Sequence, residues 1–86
     1  MLQPVLTKDF KKQYRKLPKS TRQKFQKQLR FLLKDFRHPS LRSRKMEGLE
    51  RFEARIDRRY RFTYMVVGEE VWLLSIGLHD KGLGKK

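Results

Sequence analysis

Residues 52–79 contain three β-strand patterns in succession, and they constrain the fold more than any other stretch. Apolar and polar residues alternate in the first two, which is typical of strands with one buried face. The third is an almost unbroken apolar run, which favours a central strand covered on both faces. Short polar turns at Asp57-Arg58-Arg59 and Gly68-Glu69-Glu70 predict that the strands are antiparallel neighbours. The apolar residues are Phe52, Ala54 and Ile56, then Phe62, Tyr64 and Val66, then the run 71–76.

Four polar residues of this stretch are candidates for a shared site. Glu53 and Arg55 occupy the face of the first strand that is not apolar, Arg61 opens the second strand, and His79 follows the third. An arginine fork can bind two phosphoryl oxygens and stays charged. Histidine exchanges protons near neutral pH. An acid, two guanidiniums and an imidazole on one sheet therefore indicate a possible site for phosphate chemistry.

Two amphipathic helices are predicted ahead of the sheet. Thr7 is expected to cap the first helix, over residues 8–17. Ser20 with Gln23 resembles a capping box and predicts the start of the second helix. This helix should end by Arg37, because Pro39 disfavours the helical conformation at His38. Such a helical hairpin needs a surface on which to bury its apolar stripes. These stripes are Phe10, Tyr14 and Leu17 in the first helix, and Phe25, Leu29, Leu32, Leu33 and Phe36 in the second.

The order of these elements predicts an α+β fold. Residues 2–6 are mostly apolar but contain Pro4, so they form at best an edge strand. The expected architecture is a short N-terminal strand and an antiparallel helical hairpin packed on a small, mostly antiparallel, twisted sheet. Residues 1–86 are expected to form one domain, because separate cores need roughly 50 residues each.

A net charge of +14 is the dominant feature of the composition, and it is unevenly distributed. Residues 1–45 carry 15 Lys or Arg against 2 acids, whereas residues 46–86 carry 8 against 7. Such a field attracts polyanions, so nucleic acid is a more plausible partner than an anionic membrane or an acidic protein. One face of the first helix is cationic, and it is either a solvated face or a contact with nucleic-acid phosphates. Its residues are Lys8, Lys11, Lys12, Arg15 and Lys19.

Several classes of protein are disfavoured by the composition. Without cysteine there is no disulfide framework and no thiolate zinc site. The two histidines are far apart in the sequence, so we expect no metal and no cofactor. The N-terminus lacks a signal-peptide pattern, and no stretch approaches about 18 consecutive apolar residues. We therefore expect a cytoplasmic protein that does not enter the membrane.

Over residues 10–79 the chain resembles the RelE/ParE superfamily of toxins from type II toxin–antitoxin systems. The resemblance rests on separated features in a fixed order: a helical hairpin, HPSL, KMEG, two strands and the ending IGLHD. The first strand reads Phe52-Glu53-Ala54-Arg55-Ile56, where the family has an aromatic-x-x-basic-aliphatic pattern. The second reads Tyr60-Arg61-Phe62-Thr63-Tyr64 and matches the strand that follows.

This resemblance implies a ribonuclease that cleaves mRNA in the ribosomal A site, inhibits translation and is inhibited by a tightly bound antitoxin. Arg55, Arg61 and His79 match the positions that the mRNA-cleaving branch uses. Glu53 stands where the RelE type has a lysine, and no tyrosine follows His79. The pattern is therefore more similar to the YoeB and YafQ branches, in which a histidine near the C-terminus serves as the acid.

For metal-free cleavage through attack of the 2′-OH, the resemblance suggests a role for each residue. Arg61, with Arg55 beside it, would stabilise charge on the phosphorane, and His79 would protonate the leaving oxygen. Glu53 is either the base or a salt-bridge partner, and both arginines could instead pair with Glu53 and Asp57 across the hairpin. Further cations border this site and would hold the RNA backbone: Arg44, Lys45, Arg58, Arg59 and Lys81. The aromatic residues are assigned to the core rather than to base stacking: Phe52, Phe62, Tyr64 and Trp72.

The implied partners are an antitoxin, mRNA and the ribosome. An antitoxin would dock on the helical hairpin and sheet, with Phe31, Leu78 and Leu83 as candidate contacts. Two other functions stay open: a ParE-like inhibitor of DNA gyrase, and an RNA-binding module without activity. A gyrase inhibitor needs no catalytic cluster, so His79 after the last strand argues against it. The net charge is equally compatible with the RNA-binding module.

Overall fold

The computed structural model describes residues 2–35, 37–46 and 50–78. In this part of the chain five strands form one sheet in the order β1-β5-β4-β3-β2. Strand β1 runs parallel to β5, and every other neighbouring pair is antiparallel. The predicted α+β architecture is confirmed. The elements are β1 (Gln3–Leu6), α1 (Lys8–Arg15), α2 (Lys19–Lys34), a 3-10 turn (Pro39–Leu41), β2 (Arg44–Lys45), β3 (Phe52–Arg55), β4 (Tyr60–Val67) and β5 (Glu70–Leu78).

The two helices begin by different means. Thr7 caps α1 as predicted, because its Oγ1 accepts a hydrogen bond from the backbone N–H of Phe10 at 3.3 Å. The predicted capping box at Ser20 is wrong. Helix α2 already begins at Lys19, and the carbonyl of Pro18 accepts its first helical hydrogen bond, from the N–H of Arg22. Ser20 therefore lies inside the first turn, where its side chain is too late to act as the cap.

The helices are attached to the sheet through an aromatic core. The ring of Phe25 in α2 packs edge-on against Phe62 in β4, with centroids 5.1 Å apart, and lies 5.5 Å from Phe10 in α1. All three side chains are buried, and each such burial is worth about 1.5–3 kcal/mol. Leu32 completes the buried stripe of α2, whereas Leu29 and Leu33 are half-buried. Phe36, predicted for the same stripe, lies outside the described residues.

Strand β5 departs from the predicted central strand in two ways. Its pairing with β4 shifts from Thr63↔Ser75 to Tyr64↔Leu73, which leaves Leu74 unpaired as a β-bulge. The extra residue puts Leu73 and Ile76 on the same face, where both are buried. Leu74 is only half-buried. The expectation of cover on both faces is therefore wrong, because the helical aromatic residues cover the sheet from one side.

Both edges of the sheet are short strands. The predicted edge strand at the N-terminus is confirmed, since β1 pairs only with β5, over Gln3↔Glu70 to Leu6↔Leu73. The opposite edge, β2, is not predicted by the sequence, because two residues are too few to show a strand period. No helix within the described ranges is long and apolar enough to cross a membrane.

Candidate active site

Arg55 and Arg61 lie on the polar face of the sheet as a directly opposed pair. The hairpin between β3 and β4 sets their register, and Arg61 in turn lies opposite Gly77 of β5. Directly opposed residues of an antiparallel pair have Cβ atoms about 4.5–5.5 Å apart and share a face. Two guanidinium groups are therefore carried side by side, and Gly77 adds no side chain next to them.

Glu53 belongs to the neighbouring row of the same face. It is only 4% exposed, and its Oε1 accepts a hydrogen bond from Nε of Arg44 at 3.2 Å. Next in this row, Thr63 and Ser75 share a hydrogen bond of 2.5 Å between their hydroxyl groups. Glu53 therefore forms a salt bridge with the edge strand β2. The alternative that Glu53 pairs with one of the two opposed arginines is wrong.

Asp57 organises the turn that joins β3 and β4. Its Oδ1 accepts hydrogen bonds from the N–H groups of Arg59 and Tyr60, both at 2.9 Å, and Oδ2 lies 3.2 Å from Nζ of Lys24. Partial burial acts to raise the pKa of Asp57, but these hydrogen bonds outweigh it and lower the pKa below its ordinary value of 3.8. Arg61 donates to the carbonyl oxygen of Asp57 at 2.6 Å. The predicted alternative of a side-chain pair between Asp57 and Arg61 is thus replaced by a contact with the backbone.

A cavity of about 250 Å³ opens over the arginine pair and is called here the Arg55 cavity. Among the described residues, no carboxylate pairs with Arg55. Partial burial lowers the pKa of Arg55, and so does repulsion from Arg42, Arg61 and Arg58. Arginine nevertheless stays charged at neutral pH. The site therefore carries uncompensated positive charge suited to an anion. The cavity is lined by Arg42, Arg44, Glu53, Ala54, Arg55 and Arg61.

The other predicted RNA-binding residues lie at the surface. Lys45 is on β2, 3.8 Å from Glu50, in a pair so exposed that it contributes little to stability. The structure places the remaining described cations at exposed positions of the β3–β4 turn and of α1. They are Arg58 and Arg59 in the turn, and Lys8, Lys11, Lys12 and Arg15 on the helix. Lys19, predicted for the same face of α1, is instead the first residue of α2.

The predicted residues after β5 lie outside the described residues: His79, Lys81 and Leu83. The last described residue is Leu78, which pairs with Tyr60, one position along from the pair of Arg61 and Gly77. The structure therefore brings together Arg55, Arg61 and Glu53 of the predicted catalytic set.

Arg42 is the charged residue of the cavity that the sequence does not predict for the site. It lies after the 3-10 turn in a left-handed conformation, with φ 47° and ψ 43°. Its N–H donates to the carbonyl of Pro39 at 3.1 Å. This conformation is uncommon for residues with a side chain. No pattern in the sequence around Arg42 predicts it, since glycine and asparagine are the usual residues there.

Phe31, a candidate antitoxin contact, is partly covered within the chain. Its ring stacks on that of His38, with centroids 4.0 Å apart. The Nδ1 atom of His38 accepts a hydrogen bond from the N–H of Ser40 at 3.2 Å, so His38 caps the 3-10 turn. Leu78, another candidate contact, is half-buried.

Comparison with known proteins identifies the fold. No protein-family model and no curated protein matches the chain. A chain of the E. coli RelBE toxin–antitoxin complex matches at 22% identity with a TM-score of 0.77, over 94% of this chain and 100% of its own. A chain of the archaeal RelE–RelB complex from Pyrococcus horikoshii OT3 matches at 20% identity and 0.78, over 94% and 98%. The YoeB/ParE toxin from Agrobacterium tumefaciens matches at 17% identity and 0.71, over 91% and 99%. The chain thus has the RelE-like fold that the sequence predicts.

Proposed function

We propose, from the fold shared with RelE-type toxins, that this chain is the toxin of a type II toxin–antitoxin pair. In this proposal it is an endoribonuclease that cleaves mRNA on the ribosome and so inhibits translation. The opposed pair of Arg55 and Arg61 is the observation that carries the proposal. Both line a cavity in which cations outnumber carboxylates, as a polyanionic substrate requires.

The arginine pair suits the electrostatic part of RNA cleavage. Attack of a 2′-OH on the adjacent phosphate concentrates negative charge on the phosphorane oxygens. Positioned donors that face developing charge are often the largest single contribution to catalysis. Arg55 has no side-chain partner among the described residues, so its fork is available to those oxygens. Arg61 is held at its turn by the carbonyl of Asp57 and supplies a second, oriented guanidinium.

His79 is the proposed acid, and Glu53 has two candidate roles, of which general base is one. His79 is proposed as the acid for the leaving 5′-oxygen, since an imidazole can donate a proton near neutral pH. Glu53 is the candidate base that accepts the 2′-OH proton. Its burial and its hydrogen bond to Arg44 favour the other role left open by the sequence, in which it holds Arg44 at the cavity.

The proposed partners follow from the fold and the charge. The E. coli and P. horikoshii neighbours were solved as complexes with an antitoxin, and we propose that a protein of this kind neutralises the present chain. The exposed cations of α1 are proposed to contact ribosomal RNA phosphates. Each phosphate neutralised in this way would make binding more sensitive to salt.

Primer extension on mRNA from translating ribosomes tests the function directly. The wild-type chain should produce discrete cleavage products, Arg61→Ala should not, and Lys27→Gln should cleave as the wild type does. Lys27 is a suitable control because it is exposed on α2. It neither lines the Arg55 cavity nor belongs to the turn that joins β3 and β4. Intact message together with broken or stalled gyrase–DNA complexes would favour the ParE-like alternative. Intact message with retention of RNA would favour the RNA-binding module.

A further inference from the structure

A second cavity, of about 410 Å³, lies beside the Arg55 cavity and is called here the Phe52 cavity. The two cavities share Arg42 and Arg44 in their walls. Its volume falls in the range of about 300–1,000 Å³ that is typical of small-molecule sites. The lining residues that matter for its chemistry are Arg37, Arg42, Arg44, Lys45, Phe52 and Tyr64.

The Phe52 cavity is strongly cationic. Of the described residues that line it, four are Lys or Arg and none is acidic. Arg44 is paired with Glu53, which belongs to the Arg55 cavity, and the contact between Lys45 and Glu50 is exposed and easily screened. No ion pair holds Arg42 within the described ranges. An anionic group that enters the cavity therefore meets Arg42, which no described carboxylate neutralises, and Lys45, whose contact with Glu50 is readily exchanged.

The cavity also has a rigid aromatic wall. Phe52 is half-buried and stacks on Tyr64, with ring centroids 5.5 Å apart and an angle of 16° between the rings. Tyr64 is itself held in place, because its hydroxyl donates to Oγ of Ser43 at 2.9 Å. An aromatic ring and guanidinium groups in the wall of one cavity are the combination that binds single-stranded nucleic acid, by stacking on the base and by pairing with the phosphate. An acidic peptide would use the cations but not the ring.

Arg42 lies between the two cavities in an unusual backbone conformation. It is the single non-glycine residue with positive φ among those described. Its left-handed conformation places it after the 3-10 turn, in the wall common to both cavities. A strand of RNA that passes from one cavity to the other would meet its side chain on the way.

We infer that the Phe52 cavity binds one nucleotide of single-stranded RNA, next to the nucleotide whose phosphate enters the Arg55 cavity. The base stacks on Phe52, and the phosphate contacts Arg42 and Lys45. The identity of the polymer rests on the proposed function. The stacking itself is a property of the cavity and can be measured without any cleavage.

The test compares two short strands of equal charge that bind the purified full chain. One is a fluorescein-labelled 2′-O-methyl RNA hexanucleotide, which has no 2′-OH to attack, and the other is the same strand without bases. The wild type should bind the base-bearing strand more tightly. Phe52→Leu should weaken that binding roughly fivefold or more, the low end of the range for loss of one stacked base, and leave the abasic strand unchanged. Arg42→Gly, which suits the left-handed backbone, should weaken both strands, and Lys27→Gln should weaken neither beyond the effect of one surface charge.

An NMR measurement on the wild type tests the stacking without any variant that could misfold. In the wild type, the ring-proton resonances of Phe52 should shift upfield when adenosine monophosphate is added, and should not move with ribose 5-phosphate. Equal binding of the two strands with unmoved ring resonances would overturn the inference. So would displacement of the RNA by a glutamate peptide of equal charge as effectively as by the base-bearing strand.

The outcomes also separate this inference from the proposed function. If the chain binds bases through Phe52 but leaves ribosome-bound mRNA intact, the nucleotide site in the Phe52 cavity is supported and the proposed endoribonuclease activity is contradicted. Cleavage of the message without any base-dependent binding supports the nuclease and contradicts the pocket.

Discussion

Arg44 on the edge strand β2 lies 3.2 Å, Nε to Oε1, from Glu53 on β3 and covers a carboxylate that is almost fully buried. The side chain of Arg44 itself remains 72% exposed. This contact ties a two-residue edge strand to the row of polar residues beside the arginine pair. It also holds Arg44 in the wall between the two cavities.

Glu53→Gln separates the two roles of this carboxylate. Glutamine can still accept a hydrogen bond from Arg44, so we expect single-turnover cleavage to fall by less than about tenfold, because loss of a general base costs typically 10²–10⁴-fold. The acidic limb of the pH–rate profile should also be kept. A loss of 10²-fold or more, together with loss of that limb, would make Glu53 the base.

Arg55→Ala should separate activity from stability. Arg55 has no described carboxylate partner and is repelled by Arg42, Arg61 and Arg58, so its removal should leave the free energy of unfolding close to that of the wild type. Cleavage should fall by about 10²–10³-fold, the usual effect of removing one donor that faces developing charge. Urea denaturation and single-turnover cleavage measure the two quantities. A variant that unfolds readily but retains its cleavage rate would show Arg55 to be structural.

Asp57→Asn should make the stability of the hairpin less sensitive to acid. The folded state lowers the pKa of Asp57 below 3.8, so the stabilisation by its carboxylate is complete above about pH 5. It is lost as the pH falls through the lowered pKa. The difference in free energy of unfolding between wild type and variant should therefore be constant from about pH 5 to 7 and shrink below about pH 4. A difference that grows on acidification would contradict this assignment.

Gln28→Ala should lower the free energy of unfolding, because Gln28 joins two segments that carry residues of the Arg55 cavity. The buried amide of Gln28 donates to the carbonyls of Ser40 at 3.1 Å and Arg55 at 2.7 Å, and so joins the 3-10 turn to β3. A buried carbonyl that loses its hydrogen-bond donor costs about 1–3 kcal/mol of stability. Gln26→Ala is the matched control, because Gln26 is exposed and, among the residues that the structure describes, its side chain bonds to the hydroxyl of Tyr14 alone. Equal urea midpoints for the two variants would argue against this role.

Local patterns in the sequence predict most of the fold and the centre of the candidate site. The opposed arginines follow from a short turn between two alternating strands, since the register of a hairpin is determined by its turn. Thr7 caps its helix for the same kind of reason, because an N-cap depends on groups within three residues. Phe10 and Phe25 occupy apolar stripes at helical spacing, so their burial was also predictable.

Only the tertiary structure decides the features that join distant segments. The strand Arg44–Lys45 exists because β3 lies beside it, and the partner of Glu53 depends on that pairing rather than on the alternation around Glu53. Leu73 and Ile76 are three positions apart, and a regular strand would place them on opposite faces. The bulge at Leu74 allows both to enter the core. Arg42 acquires its place between two cavities from a turn that packs against the sheet. Periodicity and turn chemistry act over a few residues, whereas the partner of a buried charge depends on which surfaces meet in the folded chain.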